Sequence, residues 1–256
     1  GDKGIGSQLG VLDDTKVNNL LMKLFSRVMV YDDFDDLPIP FRAIGTDVTN
    51  NKTVVFGSGS FFDAVRASMA FPVVFAPVIL EDGSVVVDGG VTANLPVKIA
   101  RELGADYILA VDCGDALGQY KDEAVPPETL TAVISQIIDT MLSADTASDA
   151  LEADWLISPD YTGIATFDFS NVPGILERAE AVVASDEMQA LFDEIEAVLG
   201  PYKEEKGYTH YDELPVHLIS DIGYTGISDN YRSQLESFIG RPLDYDTLSE
   251  LDALLE

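Results

Sequence analysis

Apolar positions along this chain switch between helical and alternating spacing, and the switches mark out its elements. Behind Asp13 and Asp14, the residues Val17, Leu20, Leu21, Leu24 and Phe25 recur at helical spacing and predict a capped helix with one apolar face. Residues 28–36 run into Leu37-Pro38-Ile39-Pro40, a rigid extended lead-in. Residues 41–47 and 52–56 read as a strand pair turned at Asn50-Asn51. Ser60 with Asp63 predicts a capped helix over 61–70, closed by Pro72, and Ala64, Ala67 and Ser68 give it a small-residue face suited to close packing. Residues 73–80 lead to a turn at Glu81-Asp82-Gly83-Ser84. Val85, Val86 and Val87 then predict a buried strand that ends at a carboxylate, Asp88.

Past Asp88, Gly89 and Gly90 are expected to take backbone angles that other residues resist. Asn94 suits the start of a helix and Pro96 its first turn; the helix runs to Leu103, and Gly104 stops it. Residues 107–112 form a second apolar strand, so strand, helix and strand read as a βαβ unit with a parallel pair. A polar loop over 115–125 follows, broken by Pro126-Pro127, then a long helix carrying Leu130, Val133, Ile134, Ile137, Ile138, Met141 and Leu142. Trp155-Leu156-Ile157 reads as a short strand. Pro173-Gly174 precedes a helix ending at Ala184, and residues 186–199 form another, closed by Gly200-Pro201. A charged, tyrosine-bearing linker leads to a strand over 214–224 and helices over 228–239 and 245–255.

The 256 residues give ample material for a buried core, and no apolar run reaches the ~20 residues of a membrane-spanning helix. The charge changes the picture more. Lys plus Arg number 15 against 45 Asp plus Glu, a net −30. Nucleic-acid binding needs a cationic footprint, and no basic cluster exists here. An anionic membrane surface would repel the chain too, within the roughly 8 Å that physiological salt leaves unscreened. Cys113 is the single cysteine, so no internal disulfide forms; behind an apolar strand it is expected as a buried, inert thiol. No Cys/His group has zinc spacing, and no cofactor motif is present: Gly4, Gly6 and Gly10 lack both the spacing and the preceding strand of a phosphate loop.

Read alone, Asp88-Gly89 is an ordinary turn signal. Read at the carboxyl end of a strand, where open α/β sheets place their ligands, Asp88 is a candidate functional carboxylate. The two histidines, His210 and His217, both lie beyond the main body and read as surface or linker residues. A Ser-His-Asp triad therefore cannot be drawn from residues 1–200, and a base for acyl transfer there must be a carboxylate.

Several stretches together resemble the patatin-like phospholipase family. They are Leu37-Pro38-Ile39-Pro40-Phe41-Arg42-Ala43, Ile44-Gly45-Thr46-Asp47, and Ala64-Val65-Arg66-Ala67-Ser68-Met69-Ala70 with Pro72, Phe75 and Pro77. Val87-Asp88-Gly89-Gly90 with Asn94, Leu95 and Pro96 follows, then Ala100-Arg101-Glu102-Leu103-Gly104-Ala105-Asp106, and more distally Asp168-Phe169-Ser170. The resemblance implies a three-layer α/β/α fold and a lipid or phospholipid ester substrate. It also implies a Ser–Asp dyad whose serine sits in a G-x-S-x-G elbow. Only the aspartate carries over, as Asp88, with Gly89, Gly90, Asn94 and Pro96 in its motif. No G-x-S-x-G occurs in the 256 residues, since 6–10 and 57–60 both miss the pattern, and the glycine-rich oxyanion loop is absent. The expectation is that the chain represents a partial patatin-like domain over 1–200 whose nucleophile-bearing N-terminal half is missing.

After a linker at 201–213, residues 214–256 resemble the start of a POTRA domain, a small α+β module found beside outer-membrane barrels. The matching pieces are Leu218-Ile219-Ser220-Asp221-Ile222 with Gly226, Gly240-Arg241-Pro242-Leu243-Asp244, and the two flanking helices. This resemblance implies export to the outer membrane or cell surface, and a barrel in the full-length protein. The leading expectation is thus the Asp-bearing portion of a lipid acyl hydrolase, inactive by itself. A non-catalytic binding or structural module of the same fold is the alternative. A self-sufficient hydrolase using Ser7, Ser58, Ser60 or Ser68 is a third reading.

Overall fold

The computed structural model describes residues 14–72, 74–113, 146–160, 172–200, 213–223 and 229–255. In chain order the elements are α1 (Thr15–Phe25), β1 (Ala43–Asp47), β2 (Lys52–Phe56), α2 (Phe61–Ser68), β3 (Val78–Ile79), β4 (Val85–Asp88), α3 (Gly90–Ala93), α4 (Val97–Glu102), β5 (Leu109–Val111), α5 (Thr146–Ala150), β6 (Trp155–Ile157), α6 (Val172–Val183), α7 (Asp186–Leu199), α8 (Asp229–Glu236) and α9 (Tyr245–Leu255). The class is mixed α/β. Two compact units are present, one within Gly1–Thr92 and Tyr208–Glu256, the other within Ala93–Gly207.

The first unit is built on an antiparallel sheet of order β2-β1-β4-β3. β1 and β2 close through the turn at Asn50-Asn51, with Asp47 opposite Lys52 and Ala43 opposite Phe56. The carboxylate of Asp47 makes that turn: it accepts Thr49 N–H (2.9 Å), Asn50 N–H (3.1 Å) and Asn50 Nδ2 (2.7 Å). Those bonds, the Asn50 side chain first, hold its pKa below the usual carboxylate value against the opposing effect of burial. β3 and β4 close through Asp82-Gly83, where Asp82 Oδ1 accepts Ser84 N–H at 2.9 Å. α2 starts as its sequence predicts, with Ser60 Oγ accepting Asp63 N–H at 3.1 Å. Its Phe61 and Ala64 are buried with Phe34, Leu37 and Ala43. Phe61 is the hub, with ring centroids 5.3 Å from Phe25 and Phe34 and 5.2 Å from Phe41. Such tilted and edge-on pairs add ~0.5–1.5 kcal/mol each beyond area burial.

α1 departs from its predicted capping. Asp14 precedes the helix, but it makes no side-chain cap; its carboxylate is taken by Arg66 of α2. At the far end of the chain, α9 packs on α1, where Asp252 accepts from Asn19 and from Lys23 (2.8 Å). The strand predicted over 214–224 is reduced, among the described residues, to one antiparallel bridge between Leu218 and Pro242. The bridge is flanked by Ile219 N–H on Arg241 O (2.9 Å) and Leu243 N–H on His217 O (2.6 Å).

In the second unit β5 and β6 run parallel, Leu109 opposite Trp155 and Val111 opposite Ile157. Leu95, Val97, Ile108, Ala110 and Ala150 form its core. α4 ends with Gly104 N–H on Arg101 O (3.0 Å) and Ala105 N–H on Ala100 O (3.1 Å), the paired bonds of a Schellman motif. β4 lies between β1 and β3, and β5, which the sequence predicted as its parallel partner, pairs with β6. Cys113 is exposed rather than buried. Alternation through β5 explains it: Leu109 and Val111 are exposed, Ala110 and Asp112 buried, and Cys113 continues the exposed series. α6 starts at Val172, so Pro173 and Gly174 lie inside its first turn, where proline is tolerated. α7 keeps its predicted bounds, capped by Ser185.

The glycine-rich start at 1–10, the helix predicted over 130–142, Asp168-Phe169-Ser170, His210 and nearly all of the 201–213 linker lie outside the described residues. Among the described residues, no helix is long and apolar enough to cross a membrane.

Because its folded-state pKa is depressed, Asp47 contributes stability above the unfolded value of about 3.9 and loses it as pH falls through the lower folded value. Asp47→Asn is therefore expected to lower the melting temperature at pH 7. The gap to wild type should narrow as pH falls below about 3.9, and thermal melts from pH 2 to 7 check it.

Candidate active site around Asp88

β4 delivers Asp88 to the edge of a tight turn. Asp88 stands opposite Gly45 in the β1–β4 register. Its own N–H donates to Ala70 O (3.0 Å), just beyond α2. Register places Asp88 on the sheet face it shares with Gly45, Val86 and Ala43, and Ala43 packs with Phe61 and Ala64 of α2. One carboxylate oxygen accepts Gly90 N–H at 2.7 Å. No other hydrogen bond to this carboxylate is present among the described residues. Asp88 is half-buried, and burial pushes its pKa above the ordinary carboxylate value; the Gly90 N–H opposes the shift and is the weaker effect.

Gly89 and Gly90 serve the turn in a way that differs from expectation. Neither takes a left-handed φ. Gly89 is required because the turn passes against β1: a Cβ there would fall inside van der Waals contact of the Ile44 carbonyl group. Gly90, buried, opens α3 and supplies the N–H that Asp88 binds. α3 was missed because Asp-Gly-Gly reads as a turn. The available signal was the aspartate itself, whose side chain accepts the N–H two residues on, as a helix cap does. Also missed was the pair Thr46 and Thr92, whose hydroxyl oxygens lie 2.9 Å apart and tie α3 to β1. Asn94 and Pro96 belong to the second unit: Asn94 is exposed, and Pro96 stands just before α4 without a side-chain cap.

Among the described residues no serine hydroxyl is hydrogen-bonded to the Asp88 carboxylate. Ser7 lies outside the described residues. Ser58 is exposed, Ser60 is exposed and caps α2, and Ser68 ends α2 beside buried Ala67. His217 is exposed, as expected for a surface residue. Among the described residues no group of three or more His, Cys, Asp or Glu is placed to hold a metal ion.

Comparison with known proteins places this site within a recognisable stretch. Residues 3–101 match the family described as patatin-like phospholipase, a span that contains β1 to β4 and Asp88. Among relatives, the chain is 40% identical over 81 residues to patatin-like phospholipase domain-containing protein 7 of Mus musculus, covering 31% of this chain and 6% of that protein. It is 37% identical over 89 residues to patatin-like phospholipase domain-containing protein 6 of Homo sapiens, covering 34% and 6%. An uncharacterized NTE family protein of Mycobacterium bovis is 33% identical over 117 residues, covering 45% of this chain and 31% of that protein. The match thus spans only a small part of each relative's length.

Two substitutions separate the turn's steric demand from its charge. Gly89→Ala is expected to cost ~1–3 kcal/mol through overpacking against Ile44, measured by urea unfolding. Asp88→Asn keeps an acceptor for Gly90 N–H and removes a charge that burial disfavours. A raised folded-state pKa means that wild type gains stability as pH falls through that value and forgoes it above. Asp88→Asn should therefore be as stable as wild type, or more so, at pH 7. A marked loss of stability at pH 7 contradicts the assignment.

Proposed function

We propose that this chain is the Asp-bearing portion of a patatin-like lipid acyl hydrolase, with Asp88 as the general base of a Ser–Asp dyad. The observation that carries the reading is Asp88 itself, a half-buried strand-end carboxylate with heightened proton affinity inside the family-matched stretch. A general base works best when its pKa lies near the working pH, and burial moves Asp88 in that direction. Gly90 N–H steadies one carboxylate oxygen. The other takes the proton of a serine hydroxyl as its Oγ attacks the ester carbonyl. The protonated carboxyl then returns that proton to the departing alcohol, leaving an acyl-serine that water hydrolyses by the same route. The serine and the oxyanion donors are proposed to come from polypeptide beyond these 256 residues, which contain no G-x-S-x-G. The substrate class is a lipid or phospholipid ester.

The same proposal takes residues 1–200 as part of a three-layer α/β/α patatin-like domain and 214–256 as the start of a POTRA-like module, with export and an outer-membrane barrel in the full-length protein. Motif order supports this extension. A non-catalytic binding or structural role is the second reading, favoured by one observation: among the described residues, the Asp88 carboxylate meets a backbone N–H and no hydroxyl.

Fluorophosphonate labelling with an ester-hydrolysis assay separates them, on this chain and on a longer protein that includes the upstream coding sequence. Labelling of the longer protein alone is expected. Asp88→Asn should then reduce its kcat on the order of 10³-fold or more, as loss of a dyad or triad partner does. Labelling of neither chain favours the binding module, and full activity of the Asp88→Asn longer protein rejects Asp88 as base.

A further inference from the structure

Arg66 is an unusual residue for the interior of a small helix. It lies on α2 and is buried, between two alanines of the core-facing side. Nε donates to Asn18 Oδ1 at 2.9 Å, and Nη2 binds the Asp14 carboxylate, both at the start of α1. Nη2 also donates to Ala76 O at 3.2 Å, on the segment between α2 and β3. The guanidinium sits over the Phe75 ring, 5.4 Å from its centroid. Nη1 is buried and, among the described residues, has no hydrogen-bond partner. A buried donor without a partner is costly. An apolar side chain would fill the same space without that cost, so the bonds Arg66 does make are the reason to look for a role.

Two of those bonds tie α2 to α1, and the third, with the Phe75 contact, reaches the stretch that follows α2. α2 ends beside Ala70, whose carbonyl accepts Asp88 N–H at 3.0 Å. The chain then turns, with Val74 and Phe75 N–H on Phe71 O, before reaching Ala76. Arg66 holds the end of that segment through Ala76 and Phe75, while α2 holds its start, and Asp14 and Asn18 anchor the guanidinium from α1. Phe75 N–H bonds back to Phe71 O (3.1 Å), next to Ala70, whose carbonyl is the acceptor for Asp88 N–H.

We propose that Arg66 is a positioning residue for Asp88, acting through Ala76 and Phe75 and the Phe71 carbonyl beside Ala70. The proposal rests on Asp88 being the working carboxylate, but its first test does not. Amide hydrogen exchange is measured on this chain as wild type and Arg66→Lys, which keeps the charge and loses the planar fork. The amides of the β1–β2 hairpin serve as internal reference, because Arg66 has no hydrogen bond to them. Exchange at Asp88 and Gly90 is expected to accelerate about tenfold more than at the hairpin, as for local rather than global opening. Equal acceleration at both sites, or none at Asp88, overturns the proposal. If Arg66→Lys does not fold, Asn18→Ala removes the Nε bond alone and is read the same way. In the longer, hydrolysing protein the same variant should lower kcat with KM held. A hydrolysis failure in every form strikes the functional reading, and the exchange result stands apart from it.

Discussion

The structure around Asp88 depends on how closely β4 and its turn can lie against β1. Two positions make that approach feasible. Gly45 leaves room for the Val86 side chain, which a Cβ there would meet at 2.6 Å. Gly89 lets the turn pass against the Ile44 carbonyl. With both absent side chains accommodated, Asp88 closes the β1–β4 register, its N–H reaches Ala70, and Gly90 can open α3 under its carboxylate. Larger residues at either place would push β4 off β1, and the hydrogen bonds that orient Asp88 would go with it.

Two carboxylates on the same sheet face show how the same chemistry is set for different ends. Asp47 and Asp88 stand two residue pairs apart in the β1–β4 register, opposite Val86 and Gly45. Asp47 is fully buried, yet its donors from Thr49 and Asn50 favour its charged form and depress its pKa. Asp88 has one donor and partial burial, and desolvation wins. The first arrangement stabilises a turn. The second leaves one oxygen without a hydrogen bond among the described residues and raises the proton affinity, as the proposed role of Asp88 as base requires.

Much of this was legible in the sequence where local chemistry decides the outcome. The Asn50-Asn51 hairpin, the Ser60 cap, the Asp82-Gly83 turn and the bounds of α7 and α9 follow from residues within a few positions of each other. What was not legible depended on distant partners. Asp14 looked like a helix cap, and only the fold shows that Arg66, far along the chain, takes its carboxylate. The β4–β5 pairing was expected from the strand–helix–strand order, but β4 pairs with β1 and β3, and β5 with β6. Gly89 is demanded by a close approach and not by the backbone angles its sequence suggested. A dihedral demand is visible in sequence, whereas the Ile44 carbonyl that crowds Gly89 is not. At the site, Asp88 was readable as a strand-end acid; the Thr46–Thr92 pair and the role of Arg66 required three-dimensional contacts.

The most direct test of the account is a carboxyl ¹³C NMR titration of Asp88 in the folded chain. Burial with a single backbone donor predicts a midpoint above the ordinary carboxylate value of about 3.9, with Asp47 in the same sample titrating below it. A midpoint for Asp88 at or below that value would contradict the picture of a desolvated carboxylate poised to accept a proton.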